Sequence, residues 1–499
     1  MNDLKENNDR NITNSIVSDV ITIATVGDII LTVDFIEKME SHPECLELIN
    51  ILKHLLVVGN YEGTIIDPDD FESYPDALSG FGWLATEPSA VEGLTSLGLK
   101  MLSRANNHAT DWGREGMYMT NAYLEEEGFV HAGTGDSRLA SREPCYYSEN
   151  DIDYSLISWT TEITADSTAS NSLFSVEARP GVSSLHRHTY IRVGSNAYNL
   201  VKQVAAATGV SPSIGELEIN GYKLINIANS VVELDYGLSP DQIVIENKLD
   251  QIDVEEIKEG IQEARANSDF VIAAQHHHGL YNNTTNVDND IQEFCREVID
   301  EGVDLIFGHG PHRLRGIEIY KGKPIFYSLG NFFFTDNTQQ FLTWDEWERY
   351  LWRVLNNHLP SSERIDLDPY QTSVEDFLEW KRLMVFPSDL NFKSVIAISI
   401  FNRIGNKNIL SFILLIPIEL FFEEVNGTKE WRGIPRVADA ETADKILEYL
   451  QNASNEFNTD IDIISLNIRN KPRKVGLIFQ DDRSDIRDSA LELIKDLFK

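Results

Sequence analysis

Cysteine is nearly absent from this chain. Cys45, Cys145 and Cys295 are all that 499 residues contain, an odd number in no metal or redox spacing. A disulfide scaffold is thereby excluded, and a reducing, cytoplasmic compartment is expected. Long apolar runs are missing too. The most apolar stretch, Ile409 to Phe422, is interrupted by Pro417 and Glu419, and it is too short and too polar for a spanning helix. The first residues, MNDLKENNDRNITNS, lack the basic-then-apolar pattern of a secretion signal and read as a polar tail, so no membrane anchor is expected. Basic residues are scarce as well: 42 Lys and Arg stand against 80 Asp and Glu, a net charge of −38. With no local basic patch, that balance argues against nucleic acid and anionic membranes as partners. The same field opposes a polyanionic substrate unless local cations or a metal hold it. Internal repeats and low-complexity runs are also absent.

What is present is a recurring strand, polar loop and helix. Ile21 to Val26 is β-branched and runs into Gly27-Asp28, which reads as a strand followed by a turn that carries a carboxylate. Leu55 to Val58 ends in Gly59-Asn60-Tyr61-Glu62, and Leu99 to Ser103 ends in Arg104-Ala105-Asn106-Asn107-His108 with Asp111 beyond. Helical patterns over Asp34–Leu55, Pro88–Leu97 and Arg114–Glu127 separate these strands. The alternation predicts a layered α/β domain. It returns after a polar stretch: a helical stripe at Val254, Ile257, Ile261 and Ala264, a strand Phe270–Ala274 ending in Gln275-His276-His277-His278, a helix Ile291–Val298, and a strand Val303–Phe307 ending in Gly308-His309-Gly310-Pro311-His312. Ile325 to Leu329 then runs into Gly330-Asn331. Ser394–Phe401 and Ile409–Leu420 read as an antiparallel pair, and Ala438–Leu450 and Asp485–Phe498 as helices.

Five strand ends thus carry Asp, Asn or His, and in α/β sheets ligands gather outside the carboxyl ends of strands. A lone Asp after a strand is usually a cap or turn residue, and Asn-Asn-His can simply shape a loop. Five such ends on one sheet edge instead suggest metal-assisted hydrolysis, whose ligands and acid/base groups are these residue types. Two chemistries stay open. Asp28, Asn107 and the histidines could hold two metal ions, or an ionised Asp28 and an imidazole such as His309 or His312 could exchange protons with a carbon.

The segments TVGDIIL (25–31), GNYEGTI (59–65), RANNHATDWGREGM (104–117), AGTG (132–135), RPGV (179–182) and GVDLIFGHGPH followed by GIEIYKGKPIFYSLGNF resemble the bacterial capsule-synthesis (CapA, poly-γ-glutamate) family in order and spacing. That family is similar to calcineurin-like metallophosphoesterases. The resemblance implies an α/β (α+β) fold, a four-layer β-sandwich flanked by helices, with two insertions. It implies a core at 19–160 and 251–335, a disordered tail at 1–18 and an insertion at 161–250. A Trp-rich helical insertion follows at 336–392 (Trp344, Trp347, Trp352, Trp380), then a closing β-hairpin at 393–425 and a mixed C-terminal extension at 426–499.

For the site, the resemblance implies Asp28 paired with His309 or His312, and the candidate catalytic groups are Asp28, His108, His309 and His312. Glu62, Arg104, Arg179 and Asn331 would contact substrate, and Asp28, Asn60, Asn107, His276 and His309 would hold a divalent metal (Mn, Zn or Fe), if one binds at all. Three departures bear on that choice. Gly310 stands where the family usually has a histidine, the triple-histidine run replaces His-Trp-Gly, and Ile30 stands where metallophosphoesterases place a metal-binding His. A soluble branch of the family, the lasso-peptide epimerases, resembles this chain in lacking an anchor and implies an Asp/His proton-transfer pair without metal. The expected function is a soluble hydrolase of a phosphoester or of a peptide or glutamyl amide; the alternatives are a peptide epimerase and a non-catalytic accessory to a capsule synthase. The expected partner is a peptide or glutamyl-polymer substrate.

Overall fold

The computed structural model describes residues 19–67, 69–76, 82–207, 217–219, 222–227, 230–279, 282, 284–339, 342–349, 368, 370–386, 388–422, 429–468, 471–480 and 484–497. The expected tail at 1–18 and Trp352 lie outside them. Two large sheets make the core. Among the described residues the first has ten strands, running Asp462–Ile468, Lys471–Phe479, Lys407–Leu420, Lys393–Ile404, Asp19–Ile30, Leu56–Tyr61, Leu99–Ser103 and Val130–Ala132, with Asn331–Phe334 paired to Asp19–Ile30 and Pro435–Val437 to Lys407–Leu420. The second has six, running Ile317–Tyr320, Lys323–Phe326, Leu305–His309, Phe270–His276, Ile152–Thr160 and Cys145–Glu149.

Alternation along each strand explains why the sheets stack. Ile21, Ile23, Leu56 and Val58 of the first sheet pack with Phe270, Ile272, Ala274, Leu305 and Phe307 of the second in one buried cluster. The intervening residues face outward. Ala24, Val26 and Val57 join Leu48 and Leu52 of the helix Pro43–Leu52, while Val271 and Ala273 join Ile257, Ile261, Phe294 and Val298 of the helices Gln251–Asn267 and Asn289–Glu301. The result is helix, sheet, sheet, helix: the expected four-layer sandwich. Each fully buried Phe or Ile contributes about 1.5–3 kcal/mol.

Several elements differ from the sequence reading. The Asp19–Ile30 strand does not end at Val26 but continues through Gly27 and Asp28, with a register break between Thr25 and Asp28. Up to Thr25 it pairs antiparallel with Lys393–Ile404; from Asp28 onward it pairs parallel with Asn331–Phe334. Gly27 makes the exchange of neighbours possible, because a Cβ there would lie 1.8 Å from the Gly330 carbonyl oxygen. Among its described residues the 161–250 region, read as a polar insertion, holds a five-stranded sheet of its own and the helix Ser195–Ala207, joined by a small core of Val193, Tyr198, Ala205, Ile225, Val232 and Leu234. The helices Trp344–Glu348 and Val374–Val385 lie in the 336–392 region, stacked through Trp347 and Phe377.

Candidate functional site

The polar strand ends are divided between two sheets rather than set along one edge. The first sheet brings Asp28 and Asn60 opposite one another in register, with Asn331 on the other side of Asp28. The second brings His276 and His309 side by side, also in register. Because the sheets stack face to face, carboxylates and amides from one meet imidazoles from the other in a cluster that is buried except at His278, which is half-buried.

Asp28 is the hinge of that cluster. Its Oδ1 accepts from Asn60 Nδ2 at 2.8 Å and its Oδ2 from the Gly310 backbone N–H at 3.1 Å. His312 Nδ1 lies 3.5 Å from Oδ2 and His309 Nδ1 3.7 Å from Oδ1. Asn60 also donates to Glu62 Oε2 at 3.2 Å, while its own Oδ1 accepts from Asn106 Nδ2 at 3.0 Å. Glu62 Oε1 has no hydrogen-bond partner and lies 4.0 Å from both His276 Nε2 and His312 Nε2. His276 meets a histidine on each side, His309 Nδ1 at 2.9 Å from its Nδ1 and His278 Nε2 at 3.1 Å from its Nε2. His312 has φ +57°, a left-handed conformation unusual outside glycine, and is held there by Asn331 Oδ1 at 3.0 Å from its Nδ1. Phe334 stacks on its ring and Phe386 stands edge-on to it.

The triple-histidine run splits by parity. His276 and His278 turn into the cluster, while His277 turns away to Thr161 Oγ1 at 2.6 Å and Asp288 Oδ2 at 3.0 Å. Asp288 is shared with Arg187, at 3.0 Å, which ties this loop to the 161–250 sheet. Glu162 accepts the His278 backbone N–H at 3.0 Å.

Burial sets the protonation states. It pushes the imidazoles of His278 and His309 down to about 4, and that of His276 well below its ordinary value, with neighbouring histidines adding to the effect at His276 and His278. All three are neutral near pH 7, the form that ligates metal. Burial alone would raise the Asp28 carboxyl, but the hydrogen bond with His312 and, in the acid range where Asp28 titrates, the charges of His312, His309 and His276 outweigh it and hold Asp28 well below the carboxylate range. Glu62 goes the other way: burial first, then the Asp28 charge, raise it well above its usual value.

The remaining expected residues fall in three places. Asn107 is buried with its Oδ1 unpartnered. His108 sits beside it, its Nδ1 2.7 Å from Asp111 Oδ2, which also accepts from the Leu84 N–H. Arg104 and Asn331, expected to contact substrate, are fully buried and engaged within the protein. Arg104 donates to the carbonyls of Tyr61 and Gly63, at 3.3 and 2.6 Å, and Asn331 Nδ2 donates to Asn391 O at 2.9 Å. Arg179 is not in the Asp28 cluster's contacts. It donates to Thr168 and lines a surface cleft of about 480 Å³ with Asp76, Thr110, Arg114 and Asp166. Glu62 and His278 enter as ligand-type groups that the expected metal set omitted. Strand parity could have identified His278, since it follows Phe270, Ile272 and Ala274 on the inward face.

The residues fit a divalent cation. Among the described residues three groupings place ligand atoms within 4.8 Å of one another: Asp28, His276 and His309; Glu62, His276 and His278; Asp28, Glu62 and His312. Neutral imidazoles, carboxylates and unpartnered buried acceptors are the donor set of a borderline first-row ion.

The bacterial capsule synthesis protein PGA_cap family matches residues 22–336. The chain is similar to y4sH, an uncharacterized protein of Sinorhizobium fredii, with 31% identity over 452 residues covering 90% of this chain and 92% of that one. It is similar to the PGA biosynthesis protein CapA of Bacillus subtilis, 24% identical over 321 residues, 63% of this chain and 64% of the relative. A probable polyglutamine synthesis accessory protein of Mycobacterium tuberculosis is 22% identical over 244 residues, 49% and 47% of the two chains.

Proposed function

The chain belongs to the bacterial capsule synthesis protein PGA_cap family, and on that premise we propose that it is a metal-assisted hydrolase of a phosphoester or of a peptide or glutamyl amide. The observation that carries this reading is a set of buried acceptor-type atoms: Glu62 Oε1 and His309 Nε2 are without hydrogen bonds among imidazoles that burial keeps neutral, and Asn107 Oδ1 is buried and unpartnered as well. Leaving such atoms unpaired costs about 1–3 kcal/mol each, which a bound cation would offset. The relatives' names, PGA biosynthesis and polyglutamine synthesis, bring a glutamyl chain into the substrate class.

Asp28, Asn107, Glu62, His276, His278, His309 and His312 are the residues from which a divalent ion's ligands would be drawn. Such an ion supplies Lewis-acid polarisation of the scissile phosphoryl or acyl oxygen. The protein's own groups do the rest. Asp28, fixed by Asn60 and Gly310, keeps an ionised carboxylate beside His312. Asp111 fixes the ring of His108 through Nδ1, which leaves Nε2 as the nitrogen able to exchange a proton. Phe334 and Phe386 keep water from the far face of His312.

A second reading, a metal-independent peptide epimerase, is supported by a different observation. Asp28 and Glu62 share one pocket, yet their environments push them apart, one towards the ionised form and the other towards the protonated form. Such a split suits a base and an acid working on one α-carbon. The net charge of −38 also favours a neutral or basic peptide over polyglutamate.

One experiment separates the readings. Turnover of a phosphoester and of γ-glutamyl and α-peptide amides is measured with Mn²⁺ or Zn²⁺ and again after chelation, with deuterium uptake from solvent into peptide α-carbons followed in parallel. Metal-dependent cleavage that chelation removes supports the hydrolase. Cleavage unchanged by chelation overturns it, and α-carbon exchange without cleavage supports the epimerase. Neither cleavage nor exchange would leave the accessory role suggested by the relatives' names.

A further inference from the structure

The cluster offers three cation positions but cannot use them all, because two of them share His276. Its Nδ1 faces His309 and its Nε2 faces His278 and Glu62. A neutral imidazole has one lone pair and one N–H, so His276 is a ligand on one side and a hydrogen-bond donor on the other. We propose that the lone pair points to the Nε2 side. The ion is then held by Glu62, His276 and His278, while Asp28 is not a ligand but the positioning carboxylate for His312. This deepens the hydrolase reading and rests on it.

Four observations choose that side. Both oxygens of Asp28 already accept short hydrogen bonds, from Asn60 Nδ2 at 2.8 Å and from the Gly310 N–H at 3.1 Å. Glu62 Oε1, fully buried, accepts none. The oxygen that lacks a positive partner is therefore that of Glu62. Second, the Nε2 atoms of His276 and His278 are 3.1 Å apart, close to the ~3.3 Å edge between two nitrogens bound at ~2.0–2.1 Å on a tetrahedral ion. Third, His276 has an outer partner for its other nitrogen, its Nδ1 meeting His309 at 2.9 Å, as ligating histidines usually do. His278 Nδ1 faces the amide nitrogen of Asn282 at 3.2 Å, so ligation through Nε2 requires that amide to turn its oxygen to the ring. Fourth, Gly310 makes the room. A Cβ at this position would lie 2.9 Å from His278 Cδ2 and 3.2 Å from His276 Nε2, and φ is +111°, so the absence of a side chain there lets the two rings converge. His309 Nε2 is unpartnered in either tautomer and does not discriminate.

Two imidazoles and one carboxylate leave coordination positions open for a substrate oxygen, as catalytic rather than structural sites do. The class of ion is a borderline first-row divalent cation, and Zn²⁺ and Co²⁺ are the probes. Both are titrated into the metal-stripped full-length protein, with calorimetry for Zn²⁺ affinity and visible absorption for the Co²⁺ ligand field. His278→Ala and Glu62→Gln are each expected to weaken Zn²⁺ by at least about 100-fold and to abolish the Co²⁺ bands. Asp28→Asn is expected to stay within about tenfold and to keep the bands. His278 is half-buried at the edge of the cluster, so His278→Ala remains informative if Glu62→Gln does not fold; circular dichroism checks both. Loss of binding in Asp28→Asn with retention in His278→Ala would overturn the proposal and move the ion to Asp28, His276 and His309. No binding to the unmodified protein would overturn the hydrolase reading itself, a result distinct from a misplaced ion.

Discussion

Replacing Asp28 by Asn keeps the shape of the side chain and changes one thing that its surroundings do not tolerate. Both of its oxygens receive hydrogens, one from Asn60 Nδ2 at 2.8 Å and one from the Gly310 N–H at 3.1 Å. A carboxamide has one accepting oxygen and one donating nitrogen, so in either orientation an NH₂ faces another donor. Asn60 cannot turn over to relieve the clash, because its Oδ1 already accepts from Asn106 Nδ2 at 3.0 Å. The Gly310 N–H is backbone and cannot turn at all. One buried donor is therefore left unpaired, at a cost of about 1–3 kcal/mol. His312 also loses the anion that lies 3.5 Å from its Nδ1, so turnover should fall by about 10²-fold or more. Urea unfolding and turnover on the substrate found for the unmodified protein test both. A variant with unchanged midpoint, unchanged slope and unchanged rate would refute the claim that Asp28 is an obligate double acceptor.

Two further outcomes follow from geometry outside the ligand cluster. Asp253 is buried among Arg142, Arg138 and His186, and although burial opposes ionisation, the His186 and Arg142 hydrogen bonds hold its carboxyl at about 2 rather than 3.8. A depressed folded-state value contributes stability that is present above pH 3.8 and lost as pH falls through about 2; the contribution is on the order of 1–2 kcal/mol once solvent screening beside the partly exposed Arg138 is allowed for. Urea midpoints of the unmodified chain should fall between pH 4 and 2, and Asp253→Asn should flatten that limb; an identical limb in the variant would count against the assignment. Gly27→Ala would set a Cβ 1.8 Å from Gly330 O and should destabilise by about 1–3 kcal/mol or more through a forced backbone shift. Wild-type stability in that variant would mean the two strands do not approach as closely as described.

The layered fold was legible because its signals are local. Strands such as Ile21–Val26 and Phe270–Ala274 announce themselves by β-branched and apolar residues, and their helices by stripes such as Val254, Ile257 and Ile261. The sandwich itself came from the family resemblance, and the distribution of Asp28 and His276 between two sheets did not follow from either strand's own pattern. Short strands were missed where apolar and polar residues alternate over only a few positions, as at Asp462–Ile468 and in the 161–250 sheet, although Asn220-Gly221 in the sequence is a hairpin signal that frames two of them. Asn331–Phe334 was hidden for the opposite reason, since Asn-Phe-Phe-Phe reads as the end of a preceding apolar run rather than a new strand. In the site, Glu62 was legible as a polar residue after a strand but not as a ligand. Its unpartnered oxygen exists only because Asn60 engages the other one.

The division of labour between the sheets has a consequence for how the site holds together. Asp28 and Asn60 come from one sheet, His276 and His309 from the other, and the hydrogen bond from Gly310 to Asp28 crosses between them. Neither half is a site by itself. The first sheet alone would present carboxylates to water, where Glu62 would have no reason to seek a cation. The second alone would present histidines with ordinary basicity, charged in part near neutral pH and repelling one another. Stacking the sheets removes water from both at once, so the same apolar burial that joins Ile23 and Val58 to Phe270 and Phe307 also makes the imidazoles neutral and leaves an unpaired acceptor in Glu62. The chemistry of the cluster is in this sense an outcome of the core. Substitutions that loosen the sandwich interface should therefore impair the site even when they touch none of its residues.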